Sequence, residues 1–247
     1  MTAIFGVIYL ILMITERQKF ILEKIVKEYT DFAYPVGSQL LEEKYDFGFC
    51  PATIRNEMQK LTESGYLYQP HTSAGRVPTD KGYRFFVDNL LEEGILELED
   101  DFEANEVFGK EREDVFKTIT HLSRFLAEAS LSLATVHLFE KGFFWKEGWE
   151  ELLREPEFEE RDFISNFTKF LKKFEKSVGD FDIDSEIEIY IGKENPFTRT
   201  KDFSIILTKC SFPDGENGIV SLLGPKRMTY EKNISLINSI TKTLQQL

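Results

Sequence analysis

The first ninety residues carry apolar positions at helical spacing, interrupted by short turns. Thr15 and Gln18 match a capping box, and the stripe that follows predicts a helix from Thr15 to about Thr30. After a Pro-Gly break, Ser38 is expected to cap a short second helix. The apolar faces of the two helices consist of Phe20, Ile21, Ile25 and Tyr29, and of Leu40, Leu41 and Tyr45.

A third helix is predicted directly afterwards. Cys50 stands at its N-cap and Pro51 at its first position, and the run from Ala52 to Ser64 ends at Gly65. Its apolar residues at spacing i, i+4, i+7, which must face a core, are Ile54, Met58 and Leu61. The opposite face carries Ala52, Asn56, Gln59 and Glu63, flanked by Thr53, Arg55 and Lys60.

That outer face has the residue types that read DNA bases. Asn and Gln can pair with adenine, Arg with guanine, and Lys can contact phosphate. The alternative is an ordinary solvated helix face. The next segment favours DNA binding: residues 66–69 alternate like a strand, residues 70–78 form a polar loop, and a helix restarts at residues 79–83. Three helices, a strand and a loop are the order of a winged helix, with His71 and Arg76 in the wing.

The second part of the chain mixes helices and strands. A helix over residues 111–135 carries a heptad seam, which packs either within the chain or against a second copy. A Phe-rich helix around residues 163–174, strands at 187–191, 203–207 and 219–223, a turn at 213–215 and a helix over 230–244 follow. The seam comprises Val115, Ile119, Leu122, Leu126, Ala129 and Leu133. The predicted class is α+β.

Charge separates the two parts. The chain of 247 residues has a formal net charge of −13, and nearly all of it falls after residue 91, where 32 acidic side chains face 20 basic ones. Residues 50–84 have five basic and three acidic side chains, so a local patch can still meet nucleic acid. The predicted domains are 13–88 for DNA binding, 89–110 as an acidic helical linker and 111–247 for dimerisation or regulation.

The N-terminal segment, residues 1–12, belongs to an apolar run from Ala3 to Ile14, which is too short to cross a bilayer as a helix. The run lacks a charged segment before it and a cleavage site after it, so it does not resemble a signal peptide. Three interpretations stay open: a mis-assigned start upstream of Met13, an extra core segment, or a membrane-surface anchor. No membrane partner is expected.

Enzyme chemistry is not expected. The three histidines, at positions 71, 121 and 137, are not paired with Cys or carboxylates at metal-ligand spacing, and nucleotide-binding and hydrolase motifs are absent from the sequence. The cysteines, Cys50 and Cys210, form no metal-binding or disulfide pattern, which is typical of a reducing cytoplasm. The sequence therefore predicts no cofactor and no metal.

Several strings resemble the HrcA family of heat-inducible transcription repressors. They are TERQKFILEKIVKEY, PVGSQLL, PATIRNEMQKLTESGYL and QPHTSAGRVPTDKGYRFFVD in the first part, and LLREPEF, IGKENPF and GPKRMTY in the second. The resemblance implies an N-terminal winged helix-turn-helix domain and a GAF-like α+β domain. It further implies a homodimer that binds an inverted-repeat operator, the CIRCE element, upstream of chaperone genes and is released on heat stress, with a chaperonin as a further partner.

The DNA contacts are expected on the second helix, the third helix and the wing. They are Ser38, Thr53, Arg55, Asn56, Gln59, Lys60, His71, Thr72, Ser73, Arg76 and Lys81.

Two departures from the family stand out. Cys50 replaces the usual Ser cap, and the chain has little room for the family's inserted dimerisation domain, so the GAF-like domain is expected to be reduced. The alternative function is a ligand-sensing winged-helix regulator with a GAF-like sensor.

Overall fold

The computed structural model describes residues 14–94, 115–183, 185–198, 200–212 and 215–245. The chain divides into two compact units between Asn89 and Leu90. Helices occur in both units, and five strands of the second form one antiparallel sheet, so the α+β class is confirmed. The predicted extension over residues 1–12 lies outside the described residues.

The first unit consists of helices and a two-stranded ribbon. The helices are α1 (Glu16–Phe32), α2 (Ser38–Lys44), α3 (Pro51–Glu63) and most of α4 (Asp80–Glu93), and the antiparallel ribbon pairs β1 (Leu67–Tyr68) with β2 (Val77–Pro78). The capping box of α1 is present: the Gln18 N–H donates to Thr15 Oγ1 over 3.3 Å, and the Thr15 N–H donates to Gln18 Oε1 over 3.0 Å. Helix α1 continues two residues past the predicted end and stops at Ala33, which has a left-handed backbone.

Two predictions for α2 are wrong. Ser38 is the first residue of the helix and not its cap, because the backbone of Gly37 takes the extended N-cap conformation. Leu40 is 42% exposed while Leu41 is fully buried. Neighbouring helix positions point about 100° apart, so a helix this short turns only one of the two leucines into the core.

The ribbon also differs from the prediction. Val77 and Pro78 were expected in the loop, but they form β2 and are both buried. Proline is tolerated there because β2 is an edge strand that needs no further N–H donor. The ribbon is tied to the turn before α2 by a backbone bridge in which Val36 and Arg76 each donate an N–H to the other's carbonyl, over 2.9 and 2.8 Å.

The core of the first unit lies between α1 and α3. Ile21, Leu22 and Ile25 from α1 pack with Ile54 and Leu61 from α3, and all five are fully buried. Each contributes about 1.5–3 kcal/mol of burial free energy. The apolar periodicity of α1 and α3 is confirmed by this packing.

The buried acid Glu28 does not follow from the sequence pattern. Glu28 is 2% exposed, receives a hydrogen bond from the Tyr45 hydroxyl and lies 2.6 Å from Lys44 Nζ. Burial acts to raise the pKa of Glu28, but hydrogen bonds from Lys44 and Tyr45 outweigh burial and lower the pKa. Glu28 therefore fastens the end of α2 to α1.

We expect Glu28→Gln to lower the free energy of unfolding at pH 7 by about 1 kcal/mol, because the ion pair with Lys44 is lost. The lowered pKa means that this contribution is present at neutral pH and is lost as the pH falls below the ordinary Glu value of 4.5. Chemical denaturation from pH 7 to pH 3 checks this: the gap between the two proteins should close on acidification. Glu42→Gln, an exposed position on the same helix, is the control. A gap of the same size at every pH would contradict the prediction.

The second unit is built on one five-stranded sheet. The strands are β3 (Leu133–Leu138), β4 (Phe143–Glu147), β5 (Glu188–Ile191), β6 (Phe203–Ser211) and β7 (Asn217–Pro225), and the helices are α5 (Val115–Ser130), α6 (Trp149–Leu152), α7 (Arg161–Ser177) and α8 (Tyr230–Gln245). The strand order is β4-β3-β7-β6-β5, and all four neighbouring pairs are antiparallel. Short 3-10 turns occupy Pro156–Glu159, Val178–Asp180 and Gly192–Glu194. The predicted turn at 213–215 includes two residues outside the described part.

The heptad seam of helix α5 packs within its own chain, which was one of the two predicted alternatives. Val115, Ile119, Leu122 and Leu126 are buried because α5 packs against β3 and β4 of its own sheet. The helix ends at Ser130, five residues before the predicted end, since Leu131 takes a left-handed backbone with φ of 52°. Leu133, the last seam position, is the first residue of β3.

The phenylalanines of α7 form the core on one face of the sheet, as predicted. The rings of Phe167 and Phe170 lie 5.2 Å from that of Phe203 on β6, and Phe174 lies 4.9 Å from Phe197. These side chains fill the space between α7 and the sheet. The predicted inward residues of α8, namely Ile234, Ile237, Ile240 and Leu244, are also buried.

Candidate nucleic-acid interface

Helix α3 exposes the face that the sequence predicts for base reading. Arg55, Asn56, Gln59 and Lys60 are exposed, while Thr53 is half-buried. Ile54, Met58 and Leu61 are buried on the opposite side. The predicted division of the helix into a core face and an outer face is confirmed.

The N-cap of α3 is weak. Cys50 has the extended backbone of an N-cap residue, but its side chain makes no capping bond to a helix N–H, and its Sγ lies 3.4 Å from Thr53 Oγ1. The hydrogen bond with the Thr53 hydroxyl lowers the pKa of the Cys50 thiol. The first turn of α3 therefore lacks the side-chain acceptor that Ser, Thr, Asn or Asp would supply.

We expect Cys50→Ser to raise the unfolding midpoint by about 3–5 °C, because a hydroxyl is a stronger acceptor than a thiol for the N–H groups of the first helical turn. Thermal unfolding of the full chain under reducing conditions measures this. Cys50→Ala, which supplies no acceptor, is the matched control and should not raise the midpoint. Equal midpoints for the Ser and Ala variants would contradict the capping explanation.

The first half of α3 has free polar groups. Among the residues that the structure describes, the side chains of Arg55 and Asn56 make no hydrogen bond or ion pair. The first residues of a recognition helix are the ones that contact base edges in helix-turn-helix proteins. A free guanidinium and a free amide at these positions can each make two hydrogen bonds to a base.

The second half of α3 is tied to other residues of its own unit. Lys60 Nζ lies 3.0 Å from Glu57 Oε1, and Gln18 Nε2 donates to Glu57 Oε2 over 2.8 Å. Burial acts to raise the pKa of Glu57, but the bonds from Lys60 and Gln18 lower it. Glu57 thus joins α3 to the start of α1, and Lys60 already has a partner.

Arg76, predicted in the wing, lies at the base of the ribbon beside α3. Its Nε donates to Thr62 Oγ1 over 3.0 Å and its Nη2 donates to Gln59 Oε1 over 3.2 Å. Partial burial lowers the pKa of the guanidinium. Arg76 is therefore a link between ribbon and helix in the free protein.

The loop between β1 and β2 is held by its own side chains. Gln69 Nε2 donates to the carbonyls of Thr72 and Ala74 over 3.0 and 2.8 Å. His71 Nδ1 lies 3.0 Å from Ser73 Oγ, and both residues are exposed. Loop residues 70–75 thus have a defined shape before any partner binds.

A cleft of about 450 Å³ opens between α2, α3 and this loop. It is lined by five of the predicted contact residues, namely Ser38, Arg55, Thr72, Ser73 and Arg76. Lys81 lies elsewhere: its Nζ donates to the Ser64 carbonyl over 2.8 Å and sits 4.0 Å above the Tyr66 ring, at the other end of α3.

Sequence reasoning missed three residues that shape this surface. Glu57, Thr62 and Gln69 act through side-chain bonds to residues that are distant along the chain or in the loop. Their only signal in the sequence is position: Glu57 and Thr62 adjoin the core side of α3, and Gln69 stands at the base of a loop.

The chain is similar to proteins of the HrcA family. A family model described as the HrcA protein C terminal domain matches residues 83–234, which is more than half of the chain. The heat-inducible transcription repressor HrcA of Thermoanaerobacter pseudethanolicus is 28% identical over 331 residues, covering 94% of this chain and 96% of that protein. The protein of the same name from Carboxydothermus hydrogenoformans is 46% identical over 122 residues, covering 47% of this chain and 36% of that protein.

A solved structure shares the fold of this chain. It is described as a hypothetical protein at 2.2 Å resolution and superposes with a TM-score of 0.77 at 22% identity, covering 95% of this chain and 99% of that one. The 331-residue alignment with the Thermoanaerobacter protein is longer than this chain, so part of that relative has no counterpart here. None of the helices in the described ranges is long and apolar enough to cross a membrane.

Proposed function

The chain belongs to the HrcA family, and from this premise we propose that it is a transcription repressor that binds operator DNA through a winged helix formed by α1, α2, α3 and the β1–β2 ribbon. The observation that carries the proposal is the free first half of α3, with Arg55 and Asn56 unpaired in the described part of the chain, beside a preformed loop. Relatives of the chain are named heat-inducible transcription repressors.

In this proposal α3 enters the major groove. Arg55 and Asn56 read base edges, with Thr53 as a further base contact. Ser38 and the loop residues His71, Thr72 and Ser73 contact the DNA backbone and fix the register of the helix. Lys60 and Lys81 supply positive charge near phosphates when they exchange their bonds to Glu57 and to the Ser64 carbonyl for bonds to the DNA.

The operator is an inverted repeat of CIRCE type, and the repressor binds it as a homodimer. A twofold operator presents two half-sites, so one chain can occupy only half of it and a symmetric pair matches both. The acidic second unit, a reduced GAF-like domain, holds the two copies. Acidic surface is repelled by DNA and is suited to protein contacts away from it.

Heat release follows from marginal stability. A domain with a net stability of only about 5–15 kcal/mol loses a large share of it on warming, and a dimer that loosens no longer holds two recognition helices in register. A chaperonin that refolds the repressor restores binding. The target genes are chaperone operons.

The test is fluorescence anisotropy of the full chain with an inverted-repeat CIRCE duplex and a scrambled duplex, at two salt concentrations. The expected result is a preference of roughly 10³ or more for the repeat, with two chains bound per duplex. Equal, strongly salt-dependent binding to both duplexes would overturn specific repression. Operator affinity that is unchanged well above the growth temperature would overturn intrinsic heat release.

A further inference from the structure

The two halves of the outer face of α3 differ in their side-chain bonds. In the second half, the Gln59 amide is bonded to other residues of the protein. Gln59 carries the amide that the sequence assigns to base reading. Its Oε1 accepts a hydrogen bond from Arg76 over 3.2 Å, and its Nε2 donates to Glu63 Oε1 over 3.0 Å. Both ends of the amide are therefore in use within the protein.

An amide that reads adenine needs both of those ends. It accepts from one base nitrogen and donates to another at the same time. Turning Gln59 toward a base would break two internal bonds and would leave the half-buried Arg76 guanidinium without one of its acceptors. A hydrogen bond that involves a charged group contributes more than one between two neutral groups, so exchanging the bonds to Arg76 and Glu63 for bonds to a base is unfavourable.

Arg76 joins three parts of the unit at one residue. Its side chain bonds to Gln59 and Thr62 on α3, and its backbone N–H and carbonyl bond to Val36 in the turn before α2. The contact at the turn is close, since a Cβ on Gly75 would lie 2.4 Å from the Val36 carbonyl carbon and oxygen. The position of the ribbon relative to α3 is therefore set here.

We propose that Gln59 and Arg76 form a positioning pair that fixes the β1–β2 loop against α3 and that Gln59 does not read bases. This inference rests on the proposed function. Base discrimination on α3 then falls to the residues of its first half, and the pair determines whether the loop can contact the same DNA as that half.

The experiment uses the full chain with Gln59→Met, Arg76→Met and the double variant. Met matches the length of Gln, is an unbranched apolar replacement for the stem of Arg, and removes the polar atoms of both side chains. Binding is measured with the CIRCE duplex and with duplexes in which each base pair of a half-site is changed in turn. We expect each single variant to lose roughly tenfold in operator affinity, and the double variant to lose no more than the weaker-binding single one. The ranking of the altered duplexes should match that of the wild type.

Relaxed discrimination at any one base pair in Gln59→Met would overturn the proposal and make Gln59 a base reader. Losses that multiply in the double variant would also overturn it, because independent residues behave in that way. Arg55→Ala is the positive control for relaxed discrimination.

Amide hydrogen exchange of the free protein separates this inference from the proposed function. The N–H groups of Val36 and Arg76 should exchange about tenfold faster in Gln59→Met than in the wild type, with no DNA present. Unchanged exchange at both amides would overturn the positioning pair even if the wild type binds the operator. Failure of the wild type to prefer the CIRCE duplex would overturn the proposed function while the exchange result still decides whether the pair fixes the ribbon.

Discussion

Replacing Arg55 with Ala should weaken binding to the inverted-repeat operator by about 10- to 100-fold while leaving the affinity for a scrambled duplex nearly unchanged. Arg55 is exposed, unpaired within the described chain and placed in the first half of α3. A guanidinium in that position can make two hydrogen bonds to guanine, and only the correct base pair offers both acceptors. Asn56→Ala should behave in the same way, with adenine as the base read. Competition anisotropy with both duplexes measures the two affinities.

Lys60→Ala is the matched control on the same helix. Lys60 is also exposed and cationic, but it is paired with Glu57 and lies in the half of α3 that is tied to other elements. Its loss should weaken both duplexes alike and reduce the slope of log affinity against log salt by up to about one. If all three variants reduced binding to the two duplexes equally, the assignment of Arg55 and Asn56 to base reading would fail.

The sequence predicts the helices of this chain well because periodicity and end signals agree. In α3, Pro51 at the start, Gly65 at the end and a three-residue apolar stripe define one helix, and the structure matches it. The buried stripe of α8 is equally regular. Where local signals are consistent with one another, packing has nothing to override.

The predictions are wrong where tertiary contacts determine the ends or the existence of an element. Periodicity placed the end of α5 near residue 135, but the left-handed Leu131 lets the chain turn and Leu133 begin a strand. The strand β2 is only two residues long and exists because Val77 and Pro78 pair with β1 beside the Val36 bridge. Neither a two-residue strand nor a single left-handed residue leaves a pattern that periodicity can detect.

The candidate DNA-contact surface could likewise be predicted only in part. Which residues of α3 face outward follows from 100° per residue, so the candidate base readers could be identified from the sequence. The sequence does not show which of these side chains lack partners within the protein, because the bonds of Gln59 and Lys60 depend on side-chain geometry. Arg76 lies 17 residues from Gln59 along the chain, and its bond to that amide exists only in the folded unit.

The second unit depends on a buried cation, and its removal should have the largest effect on stability. Arg227 is 9% exposed and lies in the segment GPKRMTY, while Glu155 and Glu157 lie in the segment LLREPEF. Arg227 Nε donates to Glu157 Oε1 over 2.6 Å, its Nη2 donates to Glu157 Oε2 over 2.9 Å, and Nη2 also bonds to Glu155. Burial acts to lower the pKa of Arg227, but the two carboxylates outweigh burial and raise it. Two segments 70 residues apart are thus joined by one guanidinium.

Arg227→Ala should lower the free energy of unfolding of the second unit by about 2–4 kcal/mol, since it leaves two partly buried carboxylates next to each other without a counter-charge. Thermal and urea unfolding of the full chain measure the loss, and Arg161→Ala, an exposed arginine in the same unit, should change little. Adding Glu157→Gln to Arg227→Ala should recover part of the stability, because the second change removes one of the unpaired charges. No recovery would mean that the lost packing of the arginine side chain, and not the uncompensated charge, causes the destabilisation. In the proposed repressor, a weaker second unit should also release the operator at a lower temperature than the wild type does, which binding measurements over a temperature series would reveal.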